Sequence, residues 1–222
     1  MTDISATARL LRGLVHGAGL VVGDFCILGT PPAGFAEGEL GTVIGDHALI
    51  RSHTVIYAGN IIGNQFTTGH GVLVRECNTI GNRVSIGSHS IVEHHVQIGD
   101  RVRIHSGAFI PEFSVLEDDA WIGPHVVFTN VLHPLCPEVS QCIKGPRIGR
   151  GAKIGAGARV LPAVEIGEMA MIGAGAVVTA SVPARAVAVG NPARVVKMID
   201  DITCPWDYIA HPYPPPPGAD GP

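Results

Sequence analysis

The 222-residue chain is poor in aromatic side chains and has no long apolar run. Aromatic residues make up 5% of the sequence, so it offers no row of rings on which bases could stack. The formal net charge of −4 also argues against nucleic acid, because proteins that bind it are usually basic. Apolar residues are frequent but scattered, and no stretch reaches the length of a membrane span. We therefore expect neither nucleic acid nor membrane among its partners.

The cysteines and the first residues of the chain indicate the cellular compartment of the protein. The five cysteines have neither the spacing of a zinc finger nor that of a disulfide-rich secreted domain. The segment Met1–Asp3 lacks the charged and apolar regions of a signal peptide. Together these features predict reduced thiols in a cytoplasmic protein.

Isoleucine, valine or leucine recurs at every sixth residue over most of the chain. From residue 44 to residue 128 this register has 15 positions, of which 13 are Ile, Val or Leu, and it resumes from residue 148 to residue 178. Six is a multiple of the strand period of two but not of the helical 3.6, so all these side chains point to one face. The fourth residue after each is usually small or β-branched, as at Ala48, Thr54 and Ser90. Such a self-repeat predicts a solenoid of short strands.

This pattern resembles the hexapeptide-repeat proteins, whose fold is a left-handed parallel β-helix, and the resemblance covers roughly residues 20–197. It implies an all-β protein in which three hexads form one coil. The register is interrupted between Phe128 and Ile148, which predicts a loop, residues 129–147, that protrudes from the coils. We expect a β-helix over residues 20–194, an N-terminal segment 1–19 and a C-terminal tail 195–222.

The segments outside the regular repeat carry weaker signals. Residues 4–16 have a faint helical spacing that predicts a short leading helix, and the Gly- and Pro-rich residues 30–41 predict a loop. Residues 195–203 are expected to form a short helix. The Pro-rich end, residues 212–222, is expected to be extended or disordered.

The last coils carry the motif Ile-Gly-Ala-Gly-Ala twice, at residues 154–158 and 172–176, followed by Gly-Asn-Pro-Ala-Arg at residues 190–194. This order resembles the closing coils of hexapeptide acyltransferases, which bind coenzyme A in a cleft between subunits of a homotrimer. The resemblance implies acetyl-CoA as acyl donor, with no metal required. Small side chains let a pantetheine arm lie close to the backbone, although the same motif also suits plain corner packing. The candidate cofactor-binding residues are Gly155, Ala156, Gly173, Ala174, Pro192, Arg194 and Lys197.

The segment Val92–Gly99 resembles the one that carries the catalytic histidine of bacterial sugar N-acyltransferases. The resemblance implies that His94 is a general base and that the acetyl group goes to an amino group of a sugar, with a nucleotide-linked sugar as the expected acceptor. His95 stands where that family has an acidic or amide residue. Steps of three hexads place Glu76, His94, Glu112 and Asn130 in one column. The candidate substrate-binding residues are Glu76, His95, Glu112, Thr129 and Asn130, and the loop with Thr129 and Lys144 is expected to cover the acceptor.

The histidines are also compatible with two other enzyme activities. His133 precedes Pro134 in a segment that resembles the loop of galactoside and xenobiotic O-acetyltransferases, which makes His133 a rival catalytic base. The spacing of His89 and His94 resembles the His-x4-His segment of γ-class carbonic anhydrases. With His70 as third ligand, that resemblance implies a zinc hydratase with its metal at a subunit seam. A third possibility is a scaffold without catalytic activity.

Overall fold

The computed structural model describes residues 2–213, and almost all regular structure in that range is short β-strand. The strands are β1 (Asp3–Ile4), β2 (Arg9–Leu10), β3 (Leu14–His16), β4 (Val21–Val22), β5 (Ile27–Thr30), β6 (Thr42–Ile44), β7 (Leu49–Ile50), β8 (Val55–Tyr57), β9 (Ile61–Ile62), β10 (Thr67–Thr68), β11 (Leu73–Val74), β12 (Thr79–Ile80), β13 (Ser85–Ile86), β14 (Ile91–Val92), β15 (Gln97–Ile98), β16 (Arg103–Ile104), β17 (Phe109–Ile110), β18 (Val115–Leu116), β19 (Trp121–Ile122), β20 (Val127–Phe128), β21 (Arg147–Ile148), β22 (Lys153–Ile154), β23 (Arg159–Val160), β24 (Glu165–Ile166), β25 (Met171–Ile172), β26 (Val177–Val178), β27 (Ala186–Gly190) and β28 (Ala193–Met198). The helices are α1 (Val139–Cys142) and a 3-10 turn (Ile199–Asp201).

The strands stack into three sheets, parallel except for the β27–β28 pair, that form the sides of a left-handed β-helix. The first sheet has the order β1-β4-β7-β10-β13-β16-β19-β22-β25-β27-β28, the second β2-β5-β8-β11-β14-β17-β20-β23-β26, and the third β24-β21-β18-β15-β12-β9-β6-β3. Each coil visits the first, second and third sheets in turn. We call the turns that follow these sheets corner 1, corner 2 and corner 3. The expected all-β solenoid is confirmed.

The residues that recur at every sixth position form the core of this solenoid. In the second sheet, Val74 pairs with Val92 and Val92 with Ile110, so each strand lies directly on its equivalent in the next coil. All three side chains are fully buried. The small residues four positions later are buried as well, including Ala48, Ser90 and Ala108. Each coil therefore contributes a layer of aliphatic and small side chains to one continuous core.

Each tight corner needs a residue in the left-handed backbone region. At corner 2 this residue is Cys77, His95 and Phe113 in successive coils, with φ between 57° and 62°. Glycine adopts this conformation most readily, so a non-glycine side chain here is held by its surroundings. The conformation turns the side chains of His95 and Phe113 outward.

The expected leading helix over residues 4–16 is wrong. That segment forms β1, β2 and β3, and β1 pairs in parallel with β4 one coil later. Ile4, Leu10, Val22 and Leu28 keep the spacing of six, so the repeat already begins within the first residues. Parallel pairing with the next coil gives this segment hydrogen-bond partners for its backbone groups, so it has no need of a helix to satisfy them. Residues 31–41 form the expected loop between β5 and β6.

The expected helix over residues 195–203 is also wrong. Strand β28 pairs antiparallel with β27 and extends the first sheet, and only Ile199–Asp201 forms a helical turn. Ile199 is buried and its amide donates to the carbonyl of Arg185, so this turn covers the C-terminal end of the stack. The β-branched Val195 and Val196 favour the strand. Of the Pro-rich end, residues 214–222 lie outside the described range.

The protruding loop leaves the stack after β20 and returns at β21, and it contains α1. Because β18 pairs with β21, the coil closes around the insertion without loss of register. Within residues 2–213, no helix has the length and apolar character that crossing a bilayer requires.

Candidate active site

The column expected from the sequence forms a continuous polar line on the outside of corner 2. We call Glu76, His94, Glu112 and Asn130 the polar column. Nε2 of His94 lies 3.6 Å from Oε1 of Glu112, and the side-chain amide of Asn130 donates a hydrogen bond to Oε2 of the same carboxylate. The side chains of His94 and Glu112 are 28% and 27% exposed, so solvent or a ligand reaches both. A histidine beside a fixed carboxylate is an arrangement suited to proton transfer.

His94 also contacts its neighbour in the chain. Its Nδ1 lies 2.8 Å from Nδ1 of His95, and the two rings meet edge to face with centroids 5.0 Å apart. Phe113, one coil later, packs against both rings at 5.9 Å and 5.7 Å. The left-handed backbone at His95 and Phe113 brings these three rings together.

Glu76 is fixed by the arginine that precedes it. Arg75 donates to the carboxylate from Nε at 2.8 Å and from Nη2 at 2.9 Å, and its Nη1 lies 3.3 Å from Oε2 of Glu93. The guanidinium also lies over the ring of Tyr57, 5.0 Å from its centroid. Partial burial pushes the pKa of Glu76 up, but the hydrogen bonds from Arg75 and the charge of its guanidinium outweigh it, so the net pKa is lowered. Glu76 therefore presents a negative charge at neutral pH.

The loop after β20 starts beside the polar column. The hydroxyl of Thr129 donates to the carbonyl of Val160, and the carbonyl of Asn130 accepts from the amide of Lys144, which ties the two ends of the loop together. His133 lies in the exposed part of the loop, three residues from Asn130 in the chain, and Leu135, two residues after His133, is 97% exposed. The side chain of Lys144 is exposed. Through the bond from Lys144 to Asn130 the loop is tied to the polar column, and within residues 2–213 no hydrogen bond, ion pair or ring contact joins Thr129, His133 or Lys144 to His94.

The residues expected to bind coenzyme A lie along another edge of the molecule. Gly155-Ala156 and Gly173-Ala174 occupy corner 1 in successive coils, and the amide of Gly173 bonds to Ala188 of β27. Strand β28, with Arg194 and Lys197, continues this edge, and Pro192 lies in the turn of the hairpin. We call this surface, residues 155–156, 173–174 and 186–198, the Gly–Ala edge. Ala156, Ala174, Arg194 and Lys197 are all exposed.

A groove of about 530 Å³ runs along the first sheet at this edge. Gly155, Gly173 and Ala174 line it together with Trp121, Lys153 and Tyr213. The ammonium of Lys153 lies 4.9 Å from the centroid of the Tyr213 ring and donates to the carbonyl of Gly151. Burial lowers the pKa of Lys153. A cation beside small residues and exposed backbone fits a long, phosphate-bearing ligand.

Sequence reasoning missed several residues that shape these two surfaces. Arg75 and Phe113 were within its reach, because a step of one coil places Phe113 beside His95 and Arg75 beside Glu93. Lys153 precedes an inward isoleucine, so its outward position was predictable too. Tyr213 had no signal, since it belongs to the tail, which has no repeat.

The three histidines of the hydratase hypothesis do not converge in one protomer. His70 and His89 belong to corner 1 of successive coils, and Nδ1 of His70 is 2.8 Å from the hydroxyl of Ser52. His94 belongs to corner 2. Within the described residues 2–213, no three histidine, cysteine, aspartate or glutamate side chains form a group that could hold a metal ion.

Comparison with known proteins identifies the repeat. The family described as "Bacterial transferase hexapeptide (six repeats)" matches residues 79–112 and 145–180. Galactoside O-acetyltransferase of Lactococcus lactis subsp. lactis (strain IL1403) is 39% identical over 83 residues, which are 36% of this chain and 40% of that protein. Serine acetyltransferase 5 of Arabidopsis thaliana is 52% identical over 71 residues, 30% of this chain and 23% of that protein. The chain thus spans less than half the length of these curated relatives.

Among solved structures, the polySia-specific acetyltransferase shares the fold over most of both chains. The TM-score is 0.51 at 20% identity, and the match covers 89% of this chain and 86% of the other. This likeness concerns the fold, whereas the sequence matches concern the repeats themselves. The sequence matches therefore show hexapeptide repeats of the bacterial transferase kind at residues 79–112 and 145–180 of this chain.

Proposed function

We propose that this protein transfers the acetyl group of acetyl-CoA to an amino group of a sugar, with a nucleotide-linked amino sugar as acceptor, and that it does so as a homotrimer. Both curated relatives are named as acetyltransferases. The two stretches matched by the family model contain His94 with Glu112 and the Gly–Ala corners, respectively. The segments that match the family model thus contribute residues to both surfaces that the proposed reaction needs.

The observation that carries the proposal is the polar column. Two carboxylates flank His94 along the column, and Glu76 is kept ionised by Arg75. Carboxylates attract an amine in its cationic form, whereas a sugar hydroxyl gains much less from them. An imidazole in the same group can take the proton that the amine must lose. Glu76, Glu112 and Asn130 would contact the acceptor, and the loop with Thr129 and Lys144 would cover it.

The chemistry at this corner is an aminolysis of a thioester. The bound ammonium first releases one proton to solvent. The neutral amine nitrogen then attacks the thioester carbonyl carbon, and a new C–N bond forms as the C–S bond breaks. The nitrogen gives one proton to a histidine base beside the carboxylates of the polar column, and the departing thiolate takes up a proton to become coenzyme A. A backbone amide or a side chain of a neighbouring protomer would stabilise the oxyanion.

The Gly–Ala edge supports the part of the proposal that concerns the acyl donor. Its exposed corners have no side chain larger than a methyl group, so a pantetheine arm can bond to the backbone. The groove volume of about 530 Å³ is within the range of small-molecule sites. Arg194, Lys197 and Lys153 supply positive charge for the phosphates.

The two surfaces lie on different corners of the same prism, and this supports the trimer. His94 is on corner 2 and the Gly–Ala edge runs along corner 1, so the core of one protomer separates them. In a cyclic trimer, corner 2 of one protomer can face corner 1 of the next. Three equivalent sites would then form at three seams.

A second candidate is O-acetylation with His133 as the base. It is favoured by the match to a galactoside O-acetyltransferase and by the exposed position of His133 beside the polar column. The variants His94→Ala and His133→Ala distinguish the two. Loss of turnover in His133→Ala with retained turnover in His94→Ala would make His133 the base and favour this second reaction. The zinc hydratase gains no support from the arrangement of its three histidines.

The proposed function is tested by measuring thiol release from acetyl-CoA. The acceptors are nucleotide-linked amino sugars, the same nucleotide sugars with a hydroxyl in place of the amine, a galactoside and serine. We expect release that depends on the amine. Release only with the hydroxyl compounds would favour O-acetylation, and no release with any acceptor would reject the acetyltransferase.

A further inference from the structure

The contact between His94 and His95 requires a hydrogen atom that one of the two rings donates. Their Nδ1 atoms are 2.8 Å apart, and two bare lone pairs at that distance would repel each other. Each neutral imidazole has one N–H and one lone pair. The direction of this bond therefore fixes the tautomer of both histidines.

The carboxylate of Glu112 sets that direction. Its Oε1 faces Nε2 of His94, and because Oε2 already accepts from Asn130, the group is held in place as an acceptor. A neutral His94 with a lone pair at Nε2 would point that pair at the negative charge, so the proton belongs on Nε2. Nδ1 of His94 is then bare and accepts the hydrogen bond. Nδ1 of His95 donates it, and the lone pair of His95 is left on Nε2.

The other groups that face the pair do not change this assignment. Glu76, one coil earlier, carries the other negative charge nearby and is bonded to Arg75. Phe113 contacts both rings with apolar edges. The ring of His95 is exposed, and among the described residues its hydrogen bond is made through Nδ1.

We propose that Nε2 of His95 takes the proton of the acceptor amine, and that His94 is a positioning residue that links His95 to Glu112. The proposal rests on the proposed acetyl transfer and names the atom at which its proton step occurs. His95 becomes an imidazolium as the C–N bond forms, and its Nδ1–H stays donated to His94. The positive charge is stabilised through His94 by the carboxylate of Glu112, and the proton is then returned to the leaving thiolate.

The variant His95→Asn separates this role from a purely structural one. The asparagine amide nitrogen replaces Nδ1 and can still donate to His94, but nothing replaces Nε2. Asparagine also tolerates the left-handed backbone, where φ of His95 is 57°. We expect kcat to fall by about 10²–10⁴-fold, the contribution of a general base, while KM for acetyl-CoA stays within about twofold of wild type. His53→Asn, at an exposed position with φ of 63°, is the matched control and should keep full activity.

The tautomers are measured without turnover, by ring ¹⁵N–¹H correlation spectra of the full-length protein at a pH where both rings are neutral. We expect the N–H of His95 on Nδ1 and that of His94 on Nε2. The opposite pair of tautomers, or a His95→Asn variant with wild-type kcat, would overturn the proposal. If the wild-type protein releases no thiol with any acceptor, the proposed function fails, and the spectra still decide the direction of the hydrogen bond.

Discussion

Nε2 of His94 faces Oε1 of Glu112 at 3.6 Å, although a full coil separates the two in the chain. The contact exists because each coil of the β-helix returns the chain to the same corner. Replacement of Glu112 by glutamine keeps its size but removes its charge. Because the carboxylate orients the histidine, we expect kcat to fall by about 10–100-fold, as for other carboxylates that orient a functional histidine. The measurement is steady-state thiol release, with Glu117→Gln on corner 3 as control, and equal losses in both variants would contradict this role.

Binding of the acyl donor is tested by filling the groove at the Gly–Ala edge. Ala174 is exposed and lines the groove with Gly155 and Gly173. We expect Ala174→Trp to raise KM for acetyl-CoA by at least tenfold, because the indole would occupy the space of the pantetheine arm, without change in the unfolding midpoint. Ala184→Trp, at an exposed position on corner 3, is the control and should leave KM unchanged. An unaltered KM in Ala174→Trp would place the donor elsewhere.

The bond between Arg75 and Glu76 predicts a pH dependence of stability. The folded-state pKa of Glu76 is lowered, so its contribution is fully present above the unfolded-state pKa and is lost as pH falls through the folded-state value. We expect Arg75→Gln to lower the free energy of unfolding at pH 7 by on the order of 1 kcal/mol. The deficit should shrink below about pH 4, where an unfolded glutamate protonates. Urea unfolding at several pH values measures it, with exposed Arg83→Gln as control. A deficit that is the same at pH 3 and pH 7 would show that this ion pair is not its source.

The core is tested by a pair of neighbours on β13 that point in opposite directions. Ile86 is buried within the stack, whereas Ser85 faces outward. We expect Ile86→Ala to destabilise the protein by about 2–5 kcal/mol, the usual cost of removing a buried aliphatic side chain, and Ser85→Ala to change the free energy of unfolding by less than about 0.5 kcal/mol. Chemical unfolding followed by circular dichroism compares them, and similar losses for both would argue against the assigned register.

The coils were predictable because the repeat indicates which residue of every hexad points into the core. Ile110, for example, is fixed by its equivalents Val74 and Val92, and the polar column follows from the same count. The prediction of a leading helix was wrong because the short segment of residues 4–16 fits both the helical period and the repeat of six. Only its pairing with β4 decides between the two. The strand β28 was missed because its partner β27 has no repeat.

The finer features of the site depend on local geometry that the six-residue repeat does not predict. The contact between His94 and His95 follows from the left-handed backbone at His95, which sets the direction of its ring. The approach of Tyr213 to Lys153 joins the tail to a coil much earlier in the chain. Such contacts follow from three-dimensional packing, and steps of a hexad or of a whole coil do not reveal them.

The central claim is that each site joins the polar column of one protomer to the Gly–Ala edge of another. It is tested most directly by mixing two variants that are each expected to be inactive at low acetyl-CoA, His94→Ala and Ala174→Trp, under conditions in which the trimers exchange protomers. In an equal mixture that assorts at random, roughly a quarter of the equivalent seams would pair an intact column with an intact edge, because each protomer at a seam is of the required kind half of the time. We expect thiol release to recover to about that fraction of wild type. A mixture that stays inactive, although exchange has occurred, would contradict a site shared between chains.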